Sequence, residues 1–301
     1  MENLNDSELS SLWTDDPKIT LDFFQNLNFE KTKYIKKDNL IEFSKKGFTV
    51  IKNAISFEDI DKLLLCINDE NFKKNNDIFT SYGENILKLS DSDVNKPISK
   101  ILDLYVKFNE AKQVLCHNSI KEFLEFVYKE PVKLFQSLYL KKGSTQCLHQ
   151  DPAYVVIQPH PYNIIACWIA LEDVKEGSGE LVYIPGSHNK MKFRYGNNRI
   201  HYNRQKDSKE LHNHHLHVLK EMSKEMSLVH YFPKKGDILF WHAGLVHGGS
   251  EITNHSLTRQ SIVGHYCPNS EWPYYYNIDN NRFVSEFNNI NLVSMYYKSN
   301  L

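Results

Sequence analysis

The spacing of the apolar residues changes at Pro131, and this change restricts the class of fold. Before Pro131, apolar residues recur every three or four positions, which is the period of amphipathic helices. From residue 132 to 140, apolar and polar residues largely alternate, as they do in a half-buried strand. Further strands, separated by turns that contain glycine or proline, are predicted at 163–174, 179–185, 228–232, 237–241 and 258–267. Helices followed by a run of strands predict an α+β fold that is mainly β, an antiparallel double-stranded β-helix (a jelly roll, or cupin-like, core) with flanking helices.

The helical part of the chain has residues that typically cap helix ends as well as apolar residues at helical spacing. Ser56 precedes an amphipathic segment and is predicted to cap a helix. Two more helices are predicted between residues 98 and 129, the second beginning at Asn118 or Ser119. The first rests on four apolar residues at helical spacing, namely Ile98, Ile101, Leu102 and Tyr105.

The predicted domain organisation is a polar N-terminal arm, residues 1–37, followed by a single jelly-roll domain, residues 38–301. Residues 189–226, called the insertion below, interrupt the rhythm of the strands. The insertion contains nine Lys or Arg, four Asp or Glu and five histidines, His201, His212, His214, His215 and His217. A loop of this length is a solvated helical insertion or a lid that recognises a polar or anionic substrate. A second metal site built from its histidines is a further alternative.

Composition excludes several classes of protein. Apolar residues make up 41% of the chain and charged residues 24%, with a net charge of −1, which argues against a general binder of nucleic acid or membrane surfaces. The five cysteines are widely spaced and form no Cys-x-x-Cys pair, so neither a disulfide framework nor a zinc cluster is predicted. The N-terminus lacks the pattern of a signal peptide, and there is no apolar run of eighteen residues. A cytoplasmic location is expected.

His149 and Asp151 are the first candidates for chemistry. Residues at i and i+2 of an extended strand leave the same face, with Cα atoms roughly 6.6 Å apart, so both side chains can bind one ion. An imidazole and a carboxylate are two corners of the facial triad that holds non-haem Fe(II). A second histidine must come from elsewhere, and His242 and His247 both lie near the end of one predicted strand.

The ordered set of a His-x-Asp motif, a distal histidine and an arginine about a dozen residues later resembles the phytanoyl-CoA dioxygenase family of Fe(II)/2-oxoglutarate oxygenases. In that family the distal ligand precedes a Gly/Ser pair, which fits His247 rather than His242. The resemblance therefore implies that His149, Asp151 and His247 hold Fe(II), leaving positions for 2-oxoglutarate and O2.

Arg259 is the candidate for binding the far carboxylate of 2-oxoglutarate, because a guanidinium stays charged and matches a carboxylate with two parallel hydrogen bonds. By alternation Ser261 would share its strand face and add a hydroxyl donor. Trp168 matches a family tryptophan that lines the cosubstrate pocket, and Tyr139 is a weaker candidate of the same kind; the alternative for both is an aromatic residue of the barrel core. Two further residues, Gln146 and Tyr154, are candidates for contact with substrate.

The resemblance implies hydroxylation of a small polar molecule, or of a glycan or natural-product precursor, with release of succinate and CO2. Relatives that halogenate lack the acidic ligand, so Asp151 favours hydroxylation. Two alternatives remain open at this stage: a non-catalytic jelly-roll binding protein, and a cupin-like metal enzyme that does not use 2-oxoglutarate.

Overall fold

Strands predominate in the second half of the chain and helices in the first. The structure is a computed structural model, and it describes residues 9–30, 32–83, 85–190, 192–277 and 282–298. The helices are α1 (Leu21–Gln25), α2 (Lys37–Lys46), α3 (Phe57–Asn68), α4 (Glu70–Lys73), α5 (Asn109–Leu115), α6 (Asn118–Tyr128) and α7 (Lys209–Glu225). The strands are β1 (Phe48–Ile51), β2 (Phe79–Tyr82), β3 (Asn85–Lys88), β4 (Lys100–Leu102), β5 (Val132–Leu140), β6 (Ile157–Gln158), β7 (Ile165–Ala170), β8 (Leu181–Tyr183), β9 (Val229–Tyr231), β10 (Ile238–His242), β11 (His247–Gly249), β12 (Ser261–Pro268), β13 (Trp272–Pro273), β14 (Arg282–Phe287) and β15 (Ile290–Lys298).

The strands form a large sheet opposed by a small one. The large sheet has the order β1-β10-β7-β12-β5-β4-β2-β3, and β15 also pairs with β5 and with β14. The small sheet has the order β11-β8-β9. Antiparallel pairing runs through the path from β1 to β3, so the prediction of a mainly β fold with a jelly-roll core and flanking helices is confirmed.

Alternation along the central strands separates two layers of buried side chains. Ile238 and Phe240 of β10 belong to the cluster shared with the helices, and the Phe240 ring stacks on Phe123 of α6 at 4.2 Å. Leu239 and Trp241 belong to a second cluster, which lies between the large and the small sheet. One face of the large sheet therefore packs on the helices, and the other faces the interior of the jelly roll.

The predicted helix at residues 98–105 is wrong. Ile101 and Leu102 lie in β4 and pair with Tyr139 and Leu138 of β5, and the helix that follows begins only at Asn109. Ile101 and Leu102 are buried in this strand, whereas Ile98 is 37% exposed and Tyr105 lies in a 3-10 turn, so tertiary pairing overrides the helical spacing. The Ser56 cap is confirmed, since its hydroxyl accepts a hydrogen bond from the Asp59 amide.

The described residues of the predicted N-terminal arm pack against the rest of the chain. Leu9 and Phe24 are buried, and the Leu9 carbonyl accepts a hydrogen bond from the Tyr162 amide at 2.8 Å. The division at residue 37 stays a prediction. None of the described helices combines the length and the apolar character needed to cross a lipid bilayer.

Gly47 ends α2 in the left-handed conformation, with φ of 76°, and a Cβ placed there would lie 2.5 Å from Nδ1 of the buried His188. We expect Gly47→Ala to lower the free energy of unfolding by about 1 kcal/mol for the backbone and by a further 1–3 kcal/mol for the overlap. Gly186→Ala is the matched control, because Gly186 has φ of 79° but its nearest contact is 3.9 Å away. Equal losses in the two variants, measured by urea denaturation, would contradict the packing argument.

Candidate active site

Backbone pairing brings the three candidate metal ligands together. His149 and His247 exchange both backbone hydrogen bonds, at 2.8 and 3.0 Å, and their rings lie 4.3 Å apart. Asp151 begins a short 3-10 turn, and its amide donates to the Ala243 carbonyl. One potential ligand atom from each of the three side chains lies within 4.8 Å of the others, and all three residues are buried. Among the described residues, no other group of three or more histidine, cysteine or carboxylate side chains lies close enough together to hold one metal ion.

Hydrogen bonds on the outer nitrogens fix the orientation of both imidazoles. His149 Nδ1 lies 2.8 Å from the Cys147 carbonyl, and His247 Nδ1 lies 2.9 Å from the Leu245 carbonyl. A carbonyl only accepts, so each Nδ1 carries the proton and each Nε2 presents a lone pair to the site. The Gln146 amide nitrogen lies 3.1 Å from His149 Nε2, and Lys100 Nζ donates to the Gln146 amide oxygen, which fixes the orientation of that amide.

The Asp151 carboxylate is held through one oxygen and open at the other. Trp241 Nε1 donates to Oδ2 at 2.8 Å. Oδ1 lies 3.6 Å from His247 Nε2 and 3.8 Å from His265 Nε2. The second oxygen is therefore the one directed towards the two histidine nitrogens.

The electrostatics keep the ligands in the states that a metal requires. Burial, followed by the neighbouring His247, lowers the pKa of His149 to about 3, so its imidazole is neutral at physiological pH. Burial is the largest influence on Asp151 and opposes ionisation, but the surrounding histidines, His247 first, hold the pKa of its carboxyl below the ordinary value. The neutral imidazole of His149 and the carboxylate of Asp151 fit a divalent first-row metal such as Fe(II).

Arg259 is a buried cation whose polar atoms are not all used. It is 2% exposed, and its Nε and Nη1 have no hydrogen-bond partner among the described residues. Burial lowers its pKa to about 10, which leaves it charged at neutral pH. Its guanidinium lies 5.7 Å from the centre of the Trp168 ring, and the buried Ser261 hydroxyl likewise has no partner in the described part of the chain. A guanidinium with unpaired N–H groups and a hydroxyl two residues later, at the start of β12, fit a carboxylate ligand.

The triad and Arg259 line one cavity of about 740 Å³. The candidates Trp168, Gln146 and Tyr154 line it too, and the insertion contributes His201, Tyr202, Asn203 and Arg204 to its wall. Ser261 is buried but is not among the lining residues, and neither is Tyr139. Tyr139 lies on the opposite face of β5, in the cluster shared with the helices, and its hydroxyl donates to Gln260 at 2.9 Å.

Three other histidines make contacts with the protein and do not belong to the candidate metal site. His242 contacts Asp15 at 3.1 Å and accepts a hydrogen bond from the Gly244 amide, away from the cavity. His188 donates from Nε2 to the Ser44 carbonyl. His212 on α7 contacts the hydroxyls of Tyr154 and Tyr195, and so connects the insertion to the cavity.

The cavity residues that were not predicted from the sequence include His265, Trp241 and Lys100. A signal for His265 existed, because alternation from Ser261 along the same strand leads to it. Trp241 follows in the same way from the alternation of β10. Lys100 gave no signal, since its segment had the spacing of a helix.

Comparison with known proteins identifies sequence relatives. A family model described as Phytanoyl-CoA dioxygenase (PhyH) matches residues 43–261, which include all of the candidate ligands. The peroxisomal phytanoyl-CoA dioxygenase of Bos taurus is 25% identical over 259 residues, 79% of this chain and 72% of that protein. The Homo sapiens protein of the same name is 25% identical over 246 residues, 75% of this chain and 66% of that protein. The chain thus spans about two thirds of the human relative.

Solved structures with the same fold include two proteins with bound alpha ketoglutarate (2-oxoglutarate). One is the epimerase SnoN in complex with Fe3+, alpha ketoglutarate and nogalamycin RO, with 15% identity, a TM-score of 0.57 and coverage of 78% of this chain and 84% of that one. The other is EctD from S. alaskensis with 2-oxoglutarate and 5-hydroxyectoine, with 15% identity, a TM-score of 0.58 and coverage of 81% and 80%. At this identity the likeness shows the fold.

The hydrogen bond from Trp241 to Asp151 predicts an effect on metal affinity. Removing a donor that orients a metal-binding carboxylate typically weakens binding 10–100-fold, so we expect Trp241→Phe to raise the Kd for Fe(II) by about tenfold or more. Trp168→Phe is the control, because Trp168 is equally buried but its Nε1 has no partner among the described residues. Anaerobic calorimetric titration with Fe(II) measures both variants, and an equal Kd in the two would contradict the assigned role of the Trp241 N–H.

Proposed function

This chain belongs to the phytanoyl-CoA dioxygenase family of Fe(II)- and 2-oxoglutarate-dependent oxygenases, and we propose that it hydroxylates a small polar molecule, or a glycan or natural-product precursor, with release of succinate and CO2. His149, Asp151 and His247 are the proposed ligands of Fe(II), and Arg259 with Ser261 is the proposed binding site for the far carboxylate of 2-oxoglutarate.

The observation that carries the proposal is a buried arginine in the same cavity as a His-Asp-His group. A buried guanidinium with unpaired N–H groups is costly unless a ligand binds it. The ligand must be an anion, and a planar carboxylate matches the fork of the guanidinium. A metal enzyme that uses no oxoacid has no need of this cation, which supports the oxygenase over the cupin-like alternative.

The residues of the chain have separate tasks in this reaction. Bound iron would supply the activation of O2 that hydroxylation requires. His149 and His247 present Nε2 because their Nδ1 protons are engaged by backbone carbonyls, and Trp241 holds the Asp151 carboxylate. The apolar walls exclude water and strengthen the electrostatic interactions inside the cavity. Since Asp151 occupies the position of the acidic ligand, hydroxylation is favoured over halogenation.

The wall contributed by the insertion supports a polar or anionic substrate. Arg204, His201 and Asn203 line the cavity, and the ion pair of Arg199 and Asp207, with 2.6 Å between Nη2 and Oδ1, holds this segment in place. Lys100 adds a further cation, and burial followed by the charge of Arg259 lowers its pKa. Asp151 is the single carboxylate among the described residues that line the cavity, so a bound anion meets little electrostatic repulsion.

The role of Arg259 can be measured without knowing the substrate. Anaerobic titration of the protein with Fe(II) and 2-oxoglutarate is expected to give the visible charge-transfer band of a chelated 2-oxoacid. Arg259→Gln should raise the half-saturating 2-oxoglutarate concentration by about 10–100-fold, because charge-assisted hydrogen bonds contribute about 1.5–3 kcal/mol. The half-saturating concentration for Arg259→Lys should lie between those of the wild type and Arg259→Gln, since lysine keeps the charge but lacks the planar fork of the guanidinium.

Asp151→Ala is the control that should abolish the band by removing a metal ligand. An unchanged titration in Arg259→Gln would favour the cupin-like metal enzyme. A wild-type protein that binds neither Fe(II) nor 2-oxoglutarate would favour a non-catalytic binding protein.

The proposed substrate class predicts that removing a charge from the insertion weakens the binding of substrate but not of 2-oxoglutarate. In a screen for compounds that stimulate 2-oxoglutarate consumption, carboxylates, phosphates or sulfates should be prominent among the active compounds. Arg204→Gln should raise the KM for such a compound by about tenfold, the value of one lost charge-assisted hydrogen bond. It should leave the half-saturating concentration of 2-oxoglutarate unchanged. Arg194→Gln is the control, because Arg194 lies on the insertion but does not line the cavity. A screen that yields only neutral apolar compounds would contradict the proposal.

A further inference from the structure

His265 lines the cavity and has no role in the function proposed so far. Strand alternation on β12 places it on the same side as Val263, which also lines the cavity. It is 4% exposed. The pairing of β12 with β5 shifts register between His265 and Tyr266, and irregularities of this kind re-aim side chains next to active sites.

The two ring nitrogens of His265 have different surroundings. Nε2 lies 3.8 Å from Asp151 Oδ1, whereas Nδ1 is buried without a hydrogen-bond partner among the described residues. Two facing lone pairs would repel each other, so the carboxylate selects the tautomer with the proton on Nε2. Because Nδ1 has no donor or acceptor opposite it, nothing on that side of the ring competes with this choice.

His265 is not a fourth metal ligand. The group whose ligand atoms all lie within 4.8 Å of one another consists of His149, Asp151 and His247, and His265 is outside it. Its Nε2 nevertheless approaches the oxygen of Asp151 that Trp241 leaves open. The two oxygens of the carboxylate thus have different N–H groups beside them.

We propose that His265 is a positioning residue for the metal-binding carboxylate, donating from Nε2 to Oδ1 of Asp151 while Trp241 donates to Oδ2. This inference rests on the proposed function, because it assigns His265 to the same metal site. Donors on both oxygens fix the plane of the carboxylate and disfavour binding of the metal through both oxygens at once. The remaining coordination positions then stay available for the cosubstrate and O2.

Three substitutions separate this role from simple packing. The amide nitrogen of His265→Gln reaches roughly the place of Nε2, and that of His265→Asn reaches the place of Nδ1. His265→Leu keeps the volume and removes both. We expect the Kd for Fe(II) alone, measured anaerobically, to rise about tenfold in His265→Leu and His265→Asn and to be largely restored in His265→Gln. The charge-transfer band of the Fe(II)–2-oxoglutarate complex should shift in wavelength in the first two variants and return towards the wild-type position in the third.

The melting temperature of each metal-free variant controls for folding. A packing role would lower the melting temperature and leave the Kd of the folded protein and the band position unchanged, which would overturn the inference. Rescue by Asn in place of Gln would overturn it too, because Nδ1 would then be the active nitrogen. If the wild type binds Fe(II) and forms the band while all three variants match it, only this inference fails. If the wild type binds no Fe(II), the proposed function fails and the inference fails with it.

Discussion

The site depends on one pair of backbone hydrogen bonds, those that His149 and His247 exchange. Residues that exchange both bonds across an antiparallel pair project their side chains on the same face, so two ligands far apart in sequence become neighbours. The approach is close because β11 continues into glycine. A Cβ on Gly248 would lie 2.8 Å from the Gln146 carbonyl, and one on Gly249 would lie 2.7 Å from the Ser144 hydroxyl. The His-Gly-Gly sequence is thus required by the backbone geometry as well as by the chemistry.

Alternation on the central strands of the large sheet then decides which side chains reach the cavity. On β7, Cys167 and Ile169 face the helices, whereas Trp168 faces the interior. On β5, Tyr139 faces the helices and its neighbour Leu138 lines the cavity. Trp168 and Tyr139, which looked alike in the sequence, therefore have opposite environments. The register of each strand places Trp168 on the interior face of the large sheet and Tyr139 on the face that packs on the helices.

Much of this arrangement could be predicted from the sequence. The strands after Pro131 were found because burial on one face imposes a period of two, and His149, Asp151 and Arg259 were found because their residue types suit a single chemistry. The helix predicted at residues 98–105 was wrong because β4 buries Ile101 and Leu102 by pairing with β5, which periodicity alone does not reveal. Lys100 was missed for the same reason. His265 and Trp241 lie on correctly predicted strands, but their importance for the site comes from their contacts with Asp151, which only the folded chain creates.

The charges of the cavity connect stability to function. Arg259 and Lys100 approach each other inside one cavity, and burial opposes the charged form of both. The proposed metal ligands add one carboxylate, Asp151, and a divalent metal would more than cancel its charge. With metal bound and no cosubstrate, the cavity would therefore hold an excess of positive charge, which opposes the charged forms of Arg259 and Lys100. A dianionic oxoacid would reduce that excess, so the same buried cations that are costly in the empty cavity make it selective for the cosubstrate.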